Sequence, residues 1–166
     1  MKKHIWPLAA AVLALLADVL SKDLALKHLG LYHRENFLGG FLRLDLTFNE
    51  GGVFGIMQGH KTFFLIVSVI VMVLMIGYYF YEKKMNGLFR IAMGMIVGGA
   101  IGNIIDRLIP GRPGVVDFIS VGVDGVYRWP TFNIADSVIV VGAFMIVIAV
   151  YLEEKKHARL KTGGDQ

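Results

Sequence analysis

The 166-residue chain contains no cysteine. Disulfides, thiolate nucleophiles and cysteine-based metal sites are therefore excluded outright. It has no HExxH and no GxSxG, and its five histidines, at positions 4, 28, 33, 60 and 157, fall near the termini or between apolar runs. Ser21 and Lys22 are adjacent, so on a helix they diverge and make a poor serine–lysine dyad. Charge is scarce too. Charged residues make up 18% of the chain and hydrophobic residues 55%, with a mean hydropathy of +0.61. A soluble domain of this length needs a polar shell and rarely reaches that average.

What the chain has instead is long apolar runs. Four are of a length suited to about 30 Å of hydrocarbon. They predict spans over about 5–27, 62–81, 88–107 and 132–152, in a single polytopic membrane domain covering 1–166. The segments between them on the outer side are about 28–61 and 108–131. The start, "MKKHIWPLAAAVLALLAD", has the basic and apolar parts of a secretory signal. Cleavage after Ala17 would put Leu15 where a small residue is wanted, and the helical pattern runs on through "DVLSKDLALKHL", so a retained first helix is expected.

The net charge of +4 does not point to nucleic acid, because the basic residues flank the spans rather than form a patch. Lys2, Lys3, Lys83, Lys84, Arg90 and the tail "EEKKHARLK" lie densely on one side, which predicts cytoplasmic N and C termini. Trp6, Tyr78, Tyr79 and Tyr81 would line that interface and Trp129 the other.

Between the spans, "FLRLDLTFN" alternates Leu42, Leu44, Leu46 and Phe48 with Arg43, Asp45, Thr47 and Asn49, the period of a half-buried strand. "VGVDGVYRW" reads as two short strands about an Asp124-Gly125 turn. The expected fold is an all-α membrane core of four transmembrane helices with a small β-sheet at the outer membrane surface. In the third run Gly94, Gly98 and Gly102 recur every four residues, a spacing that admits another helix closely.

Ionisable residues inside spans are costly and usually functional. Here they gather towards one end of the helices. Asp18 and Lys22 are i, i+4, as are Asn103 and Arg107, while Asn133 and Asp136 are i, i+3. Asn49 ends the first strand, and Asp117 lies in the apolar "GVVDFIS". Asp18 with Lys22 reads equally well as a structural ion pair. Asp124 is explained by its turn and Asp45 by a solvated strand face. Asp136 sits where it can also cap the fourth helix, whose N-terminal dipole favours negative charge.

Asp117 and Asp136 have no basic partner at helical spacing. Two carboxyl groups sharing a low-dielectric site cannot both ionise easily, so one keeps a proton. The charged member can then activate a water while its neighbour donates to a carbonyl, which is aspartic peptide hydrolysis without metal or cofactor. A small proton- or ion-coupled transporter is the alternative, though it needs polar steps through the whole bilayer, and the other halves of the runs offer none. A non-enzymatic scaffold is a third.

The ordered set "DVLSK", "TFNEGGVFG", "GGAIGNIIDR", "GVVDF" and "FNIADS" resembles the lipoprotein signal peptidase (signal peptidase II) family. The resemblance covers nearly the whole chain and implies an aspartic membrane endopeptidase of the bacterial inner membrane, with a periplasmic β-cradle. It implies a prolipoprotein substrate, cut just before a diacylglyceryl-modified Cys, and inhibition by globomycin-type cyclic peptides. Carried over by motif, the catalytic pair is Asp117 and Asp136, supported by Asp18, Lys22, Asn49, Asn103, Arg107 and Asn133. Membrane lipid is an expected partner; metal and nucleic acid are not, and a monomer is expected. Two departures stand out: Val53 where the family usually has Ala, and a slightly long "IPGRPGVVDF" linker between Arg107 and Asp117.

Overall fold

The structure, a computed structural model, describes residues 2–30, 34–52 and 55–162. Val53 lies outside the described residues. Four helices dominate: α1 (Ile5–His28), α2 (Lys61–Tyr81), α3 (Gly87–Leu108) and α4 (Ile134–Thr162). Between them run β1 (Arg34–Phe37), β2 (Leu42–Asn49), β3 (Val115–Val123) and β4 (Tyr127–Arg128).

Three helices among the described residues are long and apolar enough to cross a membrane: Lys61–Tyr81, Gly87–Leu108 and Ile134–Leu160. In α2 no residue is buried, and Phe63, Ile66, Ile70, Leu74 and Phe80 are exposed on a rod whose one charge is Lys61 at its start. A helix that is apolar all round and unburied belongs in hydrocarbon. The remaining helix, α1, carries Asp18, Lys22, Asp23 and Lys27 in its second half, which sets it apart from the other three. The fourth helix runs on past the predicted Leu152 to Thr162. Its tail, "EEKKHARLK", is built from strong helix formers and closes an i, i+4 contact between Glu153 and His157 at 3.5 Å.

The glycine stripe makes α3 the centre of the bundle. A Cβ on Gly94 would strike the Pro7 carbonyl, one on Gly98 the Ala11 carbonyl, and one on Gly102 the Asp18 carboxylate. The same helix meets α4 through Gly99, which abuts the Ala135 carbonyl. Small residues thus bring three backbones close enough for short polar side chains to meet.

All four strands form one antiparallel sheet in the order β1-β2-β3-β4. The hairpin about Asp124-Gly125 forms, with Gly122 opposite Arg128 and Gly125 at φ 79°. Asp124 does more than turn the chain: Arg43 and Arg128 both pair with it. The stretch joining α3 to this hairpin is itself strand β3, so Asp117 sits in a ladder opposite Thr47. The register slips between Leu44 and Thr47, a bulge beside Asp117. Bulges re-aim side chains and recur next to active sites. One sheet face, with Leu46, Val116 and Phe118, packs on Ala25 and Leu29 at the end of α1.

Candidate active site

Asp117 is nearly fully buried, at 1% exposure, whereas Asp136 is only half-buried. One residue links them. Asn133 Nδ2 lies 2.7 Å from Asp117 Oδ1, while the Asn133 backbone N–H donates to Asp136 Oδ2 at 3.3 Å. Asn133 Oδ1 accepts from the Asp136 N–H at 2.9 Å, closing a reciprocal capping box at the start of α4. Capping is therefore one role of Asp136 and not its only one, because its other oxygen accepts from Asn103 Nδ2 at 2.9 Å.

The strand and the helix start are also tied through the backbone. Phe132 bridges Ile119, its N–H donating at 2.9 Å and its carbonyl accepting from both Phe118 and Ile119. Asn133 Nδ2 reaches the Val116 carbonyl at 3.2 Å. A short polar segment, "FN", thereby locks the strand carrying Asp117 against the helix carrying Asp136.

Beneath the pair lies a buried ionic cluster. Lys22 Nζ is 2.7 Å from Asp18 Oδ2, 2.8 Å from Asp106 Oδ2 and 2.8 Å from Asn103 Oδ1. Asp18 Oδ1 also accepts the Ala135 N–H at 2.9 Å, within the first turn of α4. Asn103 is oriented by these neighbours. Its carbonyl oxygen faces the Lys22 ammonium and the Asn133 amide, which leaves its NH2 to face Asp136.

Arg107 donates through Nη1 to the Asn103 carbonyl at 3.2 Å and through Nη2 to the Gly51 carbonyl at 3.1 Å. Its charge lies within electrostatic reach of Asp136, Asp117 and Asp106. Asn49 folds back on its own loop, accepting from Gly51 N–H at 3.0 Å and donating to Gly52 O at 3.2 Å, and also hydrogen-bonds Asp117. All eight predicted site residues thus fall in one contiguous network at one end of the bundle.

Two members were missed by sequence reasoning. Asp106 is the second counter-ion of Lys22, accepts the Val116 N–H at 3.2 Å and pairs with Arg112. Its signal was present: Asp106 is i+3 from Asn103, on the face already occupied by Gly99 and Gly102. Arg112 comes from the segment that joins Arg107 to Asp117.

Electrostatics single out Asp117. Burial, and then the neighbouring Asp136 carboxylate, push its carboxyl up to about 7, while hydrogen bonds from Asn49 and Asn133 and the Lys22 charge pull the other way. Among the described residues no group of three or more His, Asp or Glu side chains is arranged to hold a metal ion.

Residues 10–152 match the family model described as signal peptidase (SPase) II. The chain belongs to the signal peptidase II family. It is 32% identical over 153 residues to the lipoprotein signal peptidase of Staphylococcus haemolyticus, covering 90% of this chain and 95% of that one. Against the lipoprotein signal peptidase of Listeria monocytogenes it is 35% identical over 160 residues, covering 95% and 99%. In structure it is similar to a bacterial membrane enzyme solved by the in meso method at 2.3 Å, with a TM-score of 0.77, 30% identity and 90% of each chain covered. A second such enzyme, at 1.9 Å, gives 0.72 at 32% identity, covering 87% of this chain and 91% of that one. For a signal peptidase II the transporter alternative has no support.

Proposed function

We propose that this signal peptidase II is an intramembrane aspartic endopeptidase (EC 3.4.23 type) whose catalytic pair is Asp117 and Asp136. Its substrate is a bacterial prolipoprotein, cut just before the diacylglyceryl-modified Cys. The observation that carries the reading is Asn133, whose side chain and backbone hold both carboxyl groups at once.

The chemistry follows from the unequal surroundings. Asp117, buried and lifted to about 7, carries the shared proton and donates it to the scissile carbonyl. The negative charge rests on Asp136, facing the helix N-terminus and the Asn103 amide, where it takes a proton from the attacking water. The tetrahedral intermediate collapses as a proton passes to the departing amine. Arg107 and Asn103 position and polarise; Asp18, Lys22 and Asn49 hold them in place.

In this reading all four helices cross the inner membrane, with N and C termini in the cytoplasm. The pair then lies at the periplasmic boundary, beside acyl chains held in the outer leaflet, and the sheet forms a cradle over the substrate segment. The protein works as a monomer. Incubation of the purified protein with a diacylated prolipoprotein tests it. We expect the mass loss of one signal peptide, suppressed by globomycin; an unprocessed precursor under conditions where a known relative cleaves it would overturn the assignment.

A further inference from the structure

The end of the bundle remote from the carboxylates contains a second built feature. His4 and Asp18 are fourteen residues apart on one helical rod, so the two ends are separated by about 20 Å. Between α1, α2 and α3 at this far end is a cavity of about 340 Å³ lined by apolar groups, among them Pro7, Leu8, Met75, Met93 and Val97. A smaller cavity adjoins it, shares His4, Tyr79 and Phe80 with it, and is lined by Lys3, Glu82, Lys83 and Arg90. An apolar slot thus opens into a mouth with three cationic side chains and one carboxylate.

The mouth is pre-organised. Arg90 is buried, its Nε donating to the Met85 carbonyl at 3.2 Å and its Nη2 to the Lys83 carbonyl at 3.0 Å. Its guanidinium lies 5.3 Å from the centre of the Tyr79 ring. Tyr79 in turn hydrogen-bonds His4 Nδ1 at 2.7 Å, joining α1 to α2 at the rim. Closing the α2–α3 turn accounts for two nitrogens of Arg90; Nη1 is the one those carbonyls do not engage. The Glu82 carboxylate accepts the Lys84 N–H at 2.7 Å, within its own turn.

We infer that this pair of cavities is a binding site for one anionic phospholipid, an acyl chain in the slot between α1, α2 and α3 and the phosphate at Lys3, Lys83 and Arg90. A slot opening on lipid from an unburied α2 fits hydrocarbon, and a guanidinium fixed beside two lysines fits a phosphate. Basic pockets between helices on the cytoplasmic side are a recurrent way of holding anionic headgroups. The apolar slot is what separates this site from one for free phosphate. The inference does not rest on the assignment of Asp117 and Asp136, which lie at the other end.

The test is native mass spectrometry of the full chain, purified in detergent and titrated with equimolar phosphatidylglycerol and phosphatidylcholine. One phosphatidylglycerol should be retained in preference, by roughly tenfold or more. Lys3→Gln with Lys83→Gln, both exposed positions, should reduce the preference by roughly tenfold. Val97→Phe, which fills the slot without touching a charge, should lower retention of phosphatidylglycerol itself. Glycerol 3-phosphate should compete poorly. Equal retention of the two lipids, a preference unchanged in either variant, or displacement by glycerol 3-phosphate as effective as by the lipid would each overturn the inference. Prolipoprotein cleavage, assayed on the same samples, reports separately on the catalytic assignment.

Discussion

Asn133 donates its side-chain amide to Asp117 at 2.7 Å and to the Val116 carbonyl at 3.2 Å, so it fixes both the carboxyl group and the strand that bears it. The same residue is the N-cap of α4. Asn133→Ala should therefore do two things. Loss of the cap and of a buried partner should destabilise the protein by about 1–3 kcal/mol. Loss of alignment between the carboxylates should slow cleavage by about a hundredfold. Thermal unfolding in detergent and a precursor-processing time course measure the two effects separately.

Asp117→Asn and Asp136→Asn should each abolish processing while leaving a folded protein, since both changes keep side-chain size. The stability effects should differ. Asp136 loses part of a capping box and should cost about 1 kcal/mol, whereas Asp117→Asn replaces a carboxyl group that burial already favours in its neutral form, so it should cost less. A purified variant of either kind that still cleaved a lipidated precursor would remove that residue from the pair.

The pH dependence of stability follows from Asp117. Its carboxyl titrates near 7 in the folded chain, against 3.8 without the fold's influence. Between those values the folded state binds the proton more tightly than the unfolded one. Stability should accordingly be greatest below about pH 4 as far as this group is concerned, fall as pH rises towards 7, and level off above it. The difference is at most about 4 kcal/mol. Unfolding temperatures at pH 5 and pH 8 should show the fall in the native protein and a flatter profile in Asp117→Asn. Since the two acids interact, the cleavage profile reports apparent values of the pair.

How far the sequence foretold this arrangement depends on whether a contact repeats at local spacing. Asp18–Lys22 and Asn133–Asp136 are i, i+4 and i, i+3 pairs, and both are made. The glycine stripe announced through its period that another helix would approach closely, and the partner proves to be α1. Contacts without a local period were hidden. The β1 strand, "RENF", has no alternation and exists because it pairs with β2. Asp106 lies at helical spacing from Asn103, but its ion pair with Lys22 joins α1 to α3 across the bundle and has no local period to announce it. The Tyr79–His4 hydrogen bond, which ties α2 to α1 across 75 residues, likewise has no local period.

The buried cluster makes Lys22 the most sensitive position outside the proposed catalytic pair. It neutralises Asp18 and Asp106 and holds the Asn103 oxygen, all within 2.8 Å. Lys22→Met keeps the volume and leaves two buried carboxylates facing one another. A loss of about 3–5 kcal/mol is expected. Adding Asp18→Asn to Lys22→Met should recover part of that loss, because one of the uncompensated charges is gone. Equal unfolding temperatures for the single and double variants would mean that Lys22 acts through packing and not through its charge.

Two glycines separate close packing from helix propensity. At Gly77, in α2, a Cβ would meet nothing within 4 Å, so Gly77→Ala should raise stability by up to about 1 kcal/mol, the ordinary gain of Ala over Gly inside a helix. At Gly102 the same atom would collide with the Asp18 carboxylate. Gly102→Ala must push α1 from α3 or displace Asp18 from Lys22, and either movement propagates through Asn103 to Asp136. It should therefore lower both the unfolding temperature and the cleavage rate, although the helix itself gains a better helix former. If both alanine variants behaved alike in unfolding and in processing assays, the small-residue stripe would be a matter of composition, and the close α1–α3 approach would not be what holds the ionic cluster beneath the carboxylates.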